Sequence, residues 1–356
     1  MSEPTAVGWA VQPPPPPARR NVVPAVLAAV IGLLILIGGI TTVALRATAG
    51  AATGAGSPAA AAEGLVAAVA AQDTARIAEL VTPTEARLVQ VHGTRVLDLV
   101  MRDMGQGGGQ LSADGVRFRA IGPSGDAALV ELAEGRFGVP AGGGQLSLPA
   151  SEVNKRLSDA TEGRLGAVRL VAVADGGQWR IGVMASAAYN WLSAAGVDVD
   201  DVSTLVSGPT ADGAATPEAA VEGVVGAVTG GDLDRAISLL APDEARVLGG
   251  IRPHLAAFAA QKPGMFDDPH AKWLAGLPGG TAPSIAVSGL TLATEPVADG
   301  VVRVRATGGT VTGPDGKAEQ LGARDDEMEV IAVERDGLWY PSLLFSQIDK
   351  ALAEAP

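Results

Sequence analysis

Glu85 and Glu244 occupy the same place in two similar stretches of this sequence. Each follows an aspartate (Asp73, Asp232) and is flanked by arginines (Arg76 and Arg87; Arg235 and Arg246). Carboxylates and guanidinium groups repeated at one spacing could build a shared polar site, present twice. The same residues also serve a plainer purpose. An Asp ahead of a short helix accepts its free N–H groups. A Glu in a first helical turn suits the helix dipole, and the arginines can pair with these carboxylates at the surface. Capping explains the positions without a ligand and is the reading taken here.

Other reactive side chains are sparse. There is no cysteine, which removes disulfides, thiol nucleophiles, thiolate-bound zinc, iron–sulfur clusters and a lipid-modified N-terminal cysteine. His92, His254 and His270 form no HExxH and no metal pair at helical spacing. Gly105-Gln106-Gly107-Gly108-Gly109 lacks the Lys-Ser or Lys-Thr of a phosphate loop, and neither GxSxG nor SxxK occurs. Asp198, Asp200 and Asp201 lack the spacing of a calcium loop and read as solvated linker residues. No catalytic, cofactor-binding or metal-binding residue is assigned, and a non-enzymatic protein is expected.

The elements that position these residues follow from an internal repeat. Ser57–Arg87 slides by 159 positions onto Thr216–Arg246 without a gap, with identity at 15 of 31 positions. Pro58, Glu63, Asp73, Arg76, Leu80, Pro83, Glu85 and Arg87 are among the matches. At an offset of 160, Ala172, Val173, Gly177 and Trp179 match Ala332, Val333, Gly337 and Trp339. A unit this long is a duplicated domain rather than a solenoid turn. The division is 57–195, an acidic linker over 196–215, and 216–356.

Each copy opens with helices. Ser57-Pro58 and Thr216-Pro217 are N-caps followed by Pro at the first helical position. Asp73 and Asp232 cap a short second helix. Thr82-Pro83-Thr84-Glu85 is a capping box opening a third helix towards Met104. Ala241 replaces that Thr in the second copy, so its helix start is expected to be weaker by about 1 kcal/mol. Strands follow at Val116–Ile121, Ala127–Ala133, Ala167–Ala174 and Trp179–Met184. The second copy has Ile285–Leu292, Val301–Thr307, Glu327–Val333 and Leu338–Leu343. Asp175-Gly176-Gly177 and Arg335-Asp336-Gly337 are hairpin turns. Short helices at Ala187–Ala194 and Ser346–Ala353 close the copies. Helices first and hairpins after argue α+β with antiparallel sheets.

Ahead of the repeats, Val22 to Leu45 carries no charge over 24 residues. That length spans a hydrocarbon core as a helix of about 36 Å. Arg19 and Arg20 against Arg46 favour the N-terminus inside. The alternative is a signal peptide cleaved after Ala49, but a signal core is normally shorter. The plan is a Pro-rich cytoplasmic tail over 1–20, a transmembrane helix over 21–45 and a flexible linker over 46–56. Pro13 to Pro17 form a stiff polyproline segment, a spacer or a docking strand. Ala28 and Gly32 make one small-residue pair of the kind that seats helix dimers. The chain carries −13 overall and −14 beyond residue 45, which argues against nucleic acid and anionic surfaces as partners.

The opening helix, the turn into a short second helix, and a Trp after the last Asp/Gly hairpin resemble the cystatin-like α+β cone. That superfamily includes ketosteroid-isomerase-like, nuclear-transport-factor-like and SnoaL-like domains. The whole plan is similar to actinobacterial single-pass membrane proteins that carry such domains outside the cell. The resemblance implies a concave sheet wrapped around a cavity. Family enzymes hold a carboxylate base and a Tyr or protonated Asp there, and no such motif carries over onto Tyr189 or Tyr340. The expected role is non-catalytic binding of a protein or small ligand at the cell envelope. Alternatives are an adaptor reached through the Pro run and a cavity enzyme. Met265, Phe266 and Trp273, in the Pro/Gly-rich insertion Pro263–Pro283, are the candidate partner contacts, or else a lid on their own domain.

Overall fold

Pro58 and Pro217 take the first helical positions, and Ser57 and Thr216 accept the N–H groups of Ala60 and Ala219 at 3.2 Å. The computed structural model describes residues 54–103, 111–141, 144–261, 266–282, 284–313, 316–322 and 328–354. The first repeat runs α1 (Pro58–Ala71), α2 (Thr74–Leu80), α3 (Pro83–Asp103), β1 (Ser112–Ser124), β2 (Ala127–Ala141), β3 (Gly144–Pro149), α4 (Ala150–Ala160), β4 (Arg169–Asp175), β5 (Gln178–Gly182) and α5 (Val183–Ala194). The second runs α6 (Pro217–Thr229), α7 (Leu233–Ser238), α8 (Pro242–Gln261), α9 (Pro269–Leu274), β6 (Ala286–Ala298), β7 (Val301–Thr312), β8 (Ala318–Gln320), β9 (Glu329–Arg335), β10 (Leu338–Ser342) and α10 (Leu343–Glu354). The expected α+β class with an antiparallel sheet in each repeat holds. The segment expected to cross a membrane, Val22 to Leu45, lies outside the described residues. Among those described, no helix is long and apolar enough to cross one.

Both sheets share one plan. Their strand orders are β1-β2-β4-β5 and β6-β7-β9-β10, with β3 and β8 pairing β2 and β7 respectively. The long hairpins are bent by bulges at Arg117/Phe118 and at Thr291/Leu292. Gly135 (φ +115°) and Gly309 (φ +129°) make these bends possible. A Cβ on Gly135 would sit 2.5 Å from the Val116 Cα, so only glycine fits.

Alternation along β2 sorts its side chains. Val130 and Leu132 face α1 to α3, joining Leu65, Leu80, Val89 and Ile181 in one core. Ala127 and Leu129 face the opposite way, towards Tyr189 and Leu192. Fully burying each such aliphatic side chain contributes about 1.5–3 kcal/mol.

Among the described residues, one face of the first sheet carries a packed core. Helix α4, which falls between the expected strands, lays Ala150 and Val153 against the same core as Phe118 and Leu148. Only residues 321–328 separate β8 from β9, too few for a counterpart of α4. Boundaries also move: β2 and β7 run on to Ala141 and Thr312, and Val183, Met184 and Leu343 belong to the closing helices rather than to the strands before them. The linker 196–215 is not merely solvated. Asp198, Asp200 and Asp201 are exposed, but Val202, Leu205 and Val206 form a buried 3₁₀ turn, which Asp201 caps.

The long helices cross between repeats. Leu88 and Val91 of α3 pack with Val301, Ile331, Val333 and Phe345 of the second repeat. Val247, Ile251 and Phe258 of α8 pack with Leu129, Val171, Tyr189 and Leu192 of the first. Each repeat therefore completes the other, as two subunits of a twofold dimer do. Near the pseudo-axis the Thr84 N–H donates to Asp243 Oδ2 at 2.8 Å, joining residues that are equivalent in the repeat.

Candidate functional site at the repeat junction

The repeated glutamates are interior groups, not surface partners of arginine. Glu85 is 5% exposed and Glu244 is fully buried. Glu85 stands in the first turn of α3 but accepts the N–H groups that open α5, Val183 at 3.0 Å and Met184 at 2.7 Å. Glu244, from α8, accepts those of Leu343 at 2.7 Å and Leu344 at 3.3 Å, which open α10. Each carboxylate thus caps the closing helix of its repeat, about 100 residues away along the chain, where the helix leaves N–H groups without intrahelical partners.

Each also takes one hydroxyl, from different sides. In the first repeat Thr82 Oγ1 donates to Glu85 Oε2 at 2.7 Å, and Gly182 precedes the capped helix. In the second repeat Ala241 stands where Thr82 does, and Ser342, the counterpart of Gly182, donates its hydroxyl to Glu244 Oε1. Ser342 thus supplies to Glu244 the hydroxyl that Thr82 supplies to Glu85. Half of the expected capping box is present: Glu85 accepts the Thr82 backbone N–H at 3.3 Å, while the Thr82 hydroxyl donates to Glu85 rather than accepting a helix N–H. Burial pushes the Glu85 and Glu244 carboxyls up to about 7, against their hydrogen bonds, and the Asp243 charge adds to the rise.

The other repeated polar residues divide. Asp73 and Asp232 cap their helices as expected, accepting the N–H groups of Arg76 and Arg235 at 2.9 Å. The arginine side chains do not reach the glutamates. Arg76 pairs with Glu79, Arg235 with Asp212, and Arg246 donates to the Val206 carbonyl at 3.0 Å. Arg87 lies beside Gly300 and Glu334 of the second repeat.

That Arg87 contact opens onto a cleft of about 370 Å³ between the repeats. Pro83, Thr84 and Arg87 form one wall, and Asp299, Gly300, Glu334, Arg335 and Asp336 form the opposite one. With guanidinium and carboxylate groups on its walls, the cleft suits a polar or charged ligand group. The glutamate oxygens, bonded to helix amides and a hydroxyl, are held for support rather than presented to a ligand.

The predicted contact residues come apart. Met265 lies outside the described residues. Phe266 packs edge-on against Phe258, with ring centroids 5.9 Å apart, and belongs to the core between the repeats. Trp273 donates its indole N–H to the Gly231 carbonyl at 3.3 Å, on its own domain. Trp273 is half-buried and also lines a cleft of about 440 Å³ with Asp234 and Arg252. Tyr189 and Tyr340 are buried on the faces where the repeats meet, not in a cone interior. Searches against family models, curated proteins and solved structures return no match to the chain.

Proposed function

We propose that this chain is a single-pass membrane protein whose tandem α+β domains bind a protein or small ligand outside the cell, without catalysing a reaction. The observation that carries the reading is the division of space between the repeats. The concave face of the first repeat is packed by α1 to α4, while the cleft at the junction is open and lined by charge of both signs. The buried carboxylates, which a cavity enzyme would present to substrate, are occupied in capping helices.

The absence of cysteine permits a clean test. Asp336→Cys places one thiol on the rim of the cleft, where the Asp336 side chain is 91% exposed. In intact host cells a membrane-impermeant maleimide is expected to label it, and Ser2→Cys is expected to stay unlabelled until the cells are opened. A photo-crosslinker on the same thiol is expected to capture a partner or ligand. Protection of the rim thiol in intact cells overturns the topology. Labelling without capture from the native envelope overturns the binding cleft.

A further inference from the structure

The junction cleft has a mate. Because the repeats are related as two subunits of a dimer are, each place between a long helix and the other repeat's sheet occurs twice. Arg87 of α3 lines the open cleft with Gly300 and Val333. Its equivalent, Arg246 of α8, lines the mate with Val173. Val173 pairs with Ala127 as Val333 pairs with Val301, so the two valines correspond.

The mate is occupied by the chain itself. Val202, Leu205 and Val206 of the linker pack there with Ala127, Leu129 and Val173, and about 10 Å³ of space remains. The Arg246 Nε donates to the Val206 carbonyl at 3.0 Å, and the Gly208 N–H donates to the Arg246 carbonyl at 3.0 Å. The linker lies this close because Gly249 and Gly250 carry no side chains. A Cβ on them would stand 2.5 Å from Pro209 and 2.4 Å from the Thr204 carbonyl. α3 has Gln90 and Val91 at those places, so a chain entering the open cleft stands off from the helix by the depth of a side chain. At the repeat offset of 159, Val202 to Val206 fall on residues 43–47, three of which belong to the segment proposed to cross the membrane. The cleft is therefore left to a visitor.

The charges of the cleft are peculiar to its half. The Glu334 N–H donates to the Gly300 carbonyl as the Ala174 N–H donates to the Asp126 carbonyl. Glu334 thus stands for Ala174 and Asp299 for Gly125, so both carboxylates are absent from the half that an apolar linker fills. Arg335 is engaged by Asp243 and Asp336, at 3.9 and 3.7 Å. Arg87 reaches only Gln90 among the described side chains, at 3.5 Å. The Asp299 and Glu334 carboxylates have no partner among the described residues.

We propose that the junction cleft binds an extended basic peptide segment of another protein, held as the linker is held in the mate. A peptide carbonyl accepts from Arg87, as Val206 accepts from Arg246, and a lysine or arginine side chain meets Asp299 and Glu334. The inference rests on the cleft reading above and names its ligand. The net negative charge beyond residue 45 draws such a segment in and turns an acidic one away.

The full chain in detergent micelles is incubated with a library of random octapeptides, and the retained peptides are identified by mass spectrometry. Circular dichroism checks that each variant is folded. The wild type is expected to retain peptides enriched in lysine and arginine. Asp299→Asn/Glu334→Gln is expected to lower that enrichment about three- to tenfold, and Arg87→Ala to lower retention of all the bound peptides. Retention without a basic preference, or a preference unchanged in both variants, overturns the proposal. Retention that appears only when residues 46–53 are replaced by glycine and serine also overturns it, giving the cleft to the chain's own segment. If no peptide is retained while the crosslinker on Asp336→Cys still captures a small molecule, the peptide fails and the cleft stands; if both fail, the cleft reading falls with it.

Discussion

Replacing Glu85 and Glu244 with glutamine tests whether these carboxyls are held neutral. Burial raises each from 4.5 to about 7. A group whose pKa is higher in the folded than in the unfolded chain stabilises the fold fully below the unfolded value. That stabilisation fades as pH rises through the folded one. Between pH 5 and pH 8 the loss comes to about 2–3 kcal/mol for each glutamate. Glutamine keeps a carbonyl acceptor for a helix N–H and cannot ionise. Glu85→Gln/Glu244→Gln is therefore expected to match the wild type at pH 5, to exceed it at pH 8, and to show a flatter pH slope. Urea midpoints by far-UV circular dichroism across that range read this directly. If the double variant is less stable at every pH with an unchanged slope, the amides at the helix starts hold the carboxylates ionised and the argument from burial fails.

Other perturbations have definite outcomes. Gly135→Ala should cost about 2 kcal/mol or more in urea denaturation, because the new Cβ collides with Val116 backbone at a positive φ, whereas Gly56→Ala, with open space around it, should stay within about 0.5 kcal/mol. Thr82→Ala should lower stability by about 1–2 kcal/mol by removing the hydroxyl on Glu85, while Ala241→Thr should gain little because Ser342 already serves Glu244. Leu129→Ala should cost about 2–4 kcal/mol, since it empties a position in the core the repeats share.

The helix starts were legible because their causes are local. Ser57, Asp73, Thr216 and Asp232 each bond an N–H within three residues, and Pro58 and Pro217 fix the backbone there. Strand pairs joined by Asp/Gly turns were legible for the same reason. The burial of Glu85 and Glu244 was not, because their partners lie about 100 residues away and a first-turn Glu already had a sufficient surface explanation. One signal did exist: Thr82 is lost in the same copy that gains Ser342 in place of Gly182. Helix α4 was missed because Pro149 offers no side-chain cap and a glycine-rich stretch precedes it. Phe266 looked like a surface residue because the core it joins belongs to the other repeat.

The exchange of long helices explains why the repeats diverged where they did. In a dimer of identical chains the two halves of the seam are identical. Once fused, each half can change alone. One half has become dry: Ile251 of α8 meets Leu129 and Tyr189. In the other half the equivalent positions are His92, Arg303 and Asp349, with Asp349 bonded to Arg303 at 2.8 Å and 3.2 Å from His92. Burial holds the His92 pKa below its usual value, with Arg95 and Arg303 acting in the same direction and Asp349 against it. Pairing two first repeats would bury His92 against Leu129 and Tyr189 with no acid to meet it. Pairing two second repeats would press Ile251 onto the Arg303–Asp349 pair. Burying a polar or charged group without its partner is costly, so the mismatch disfavours like pairing and directs each repeat to the unlike one. The same freedom acts at the sheet edges. The first repeat keeps the Glu63 carboxylate on its outer strand, whereas the equivalent Glu222 of the second is exposed and has no partner among the described residues.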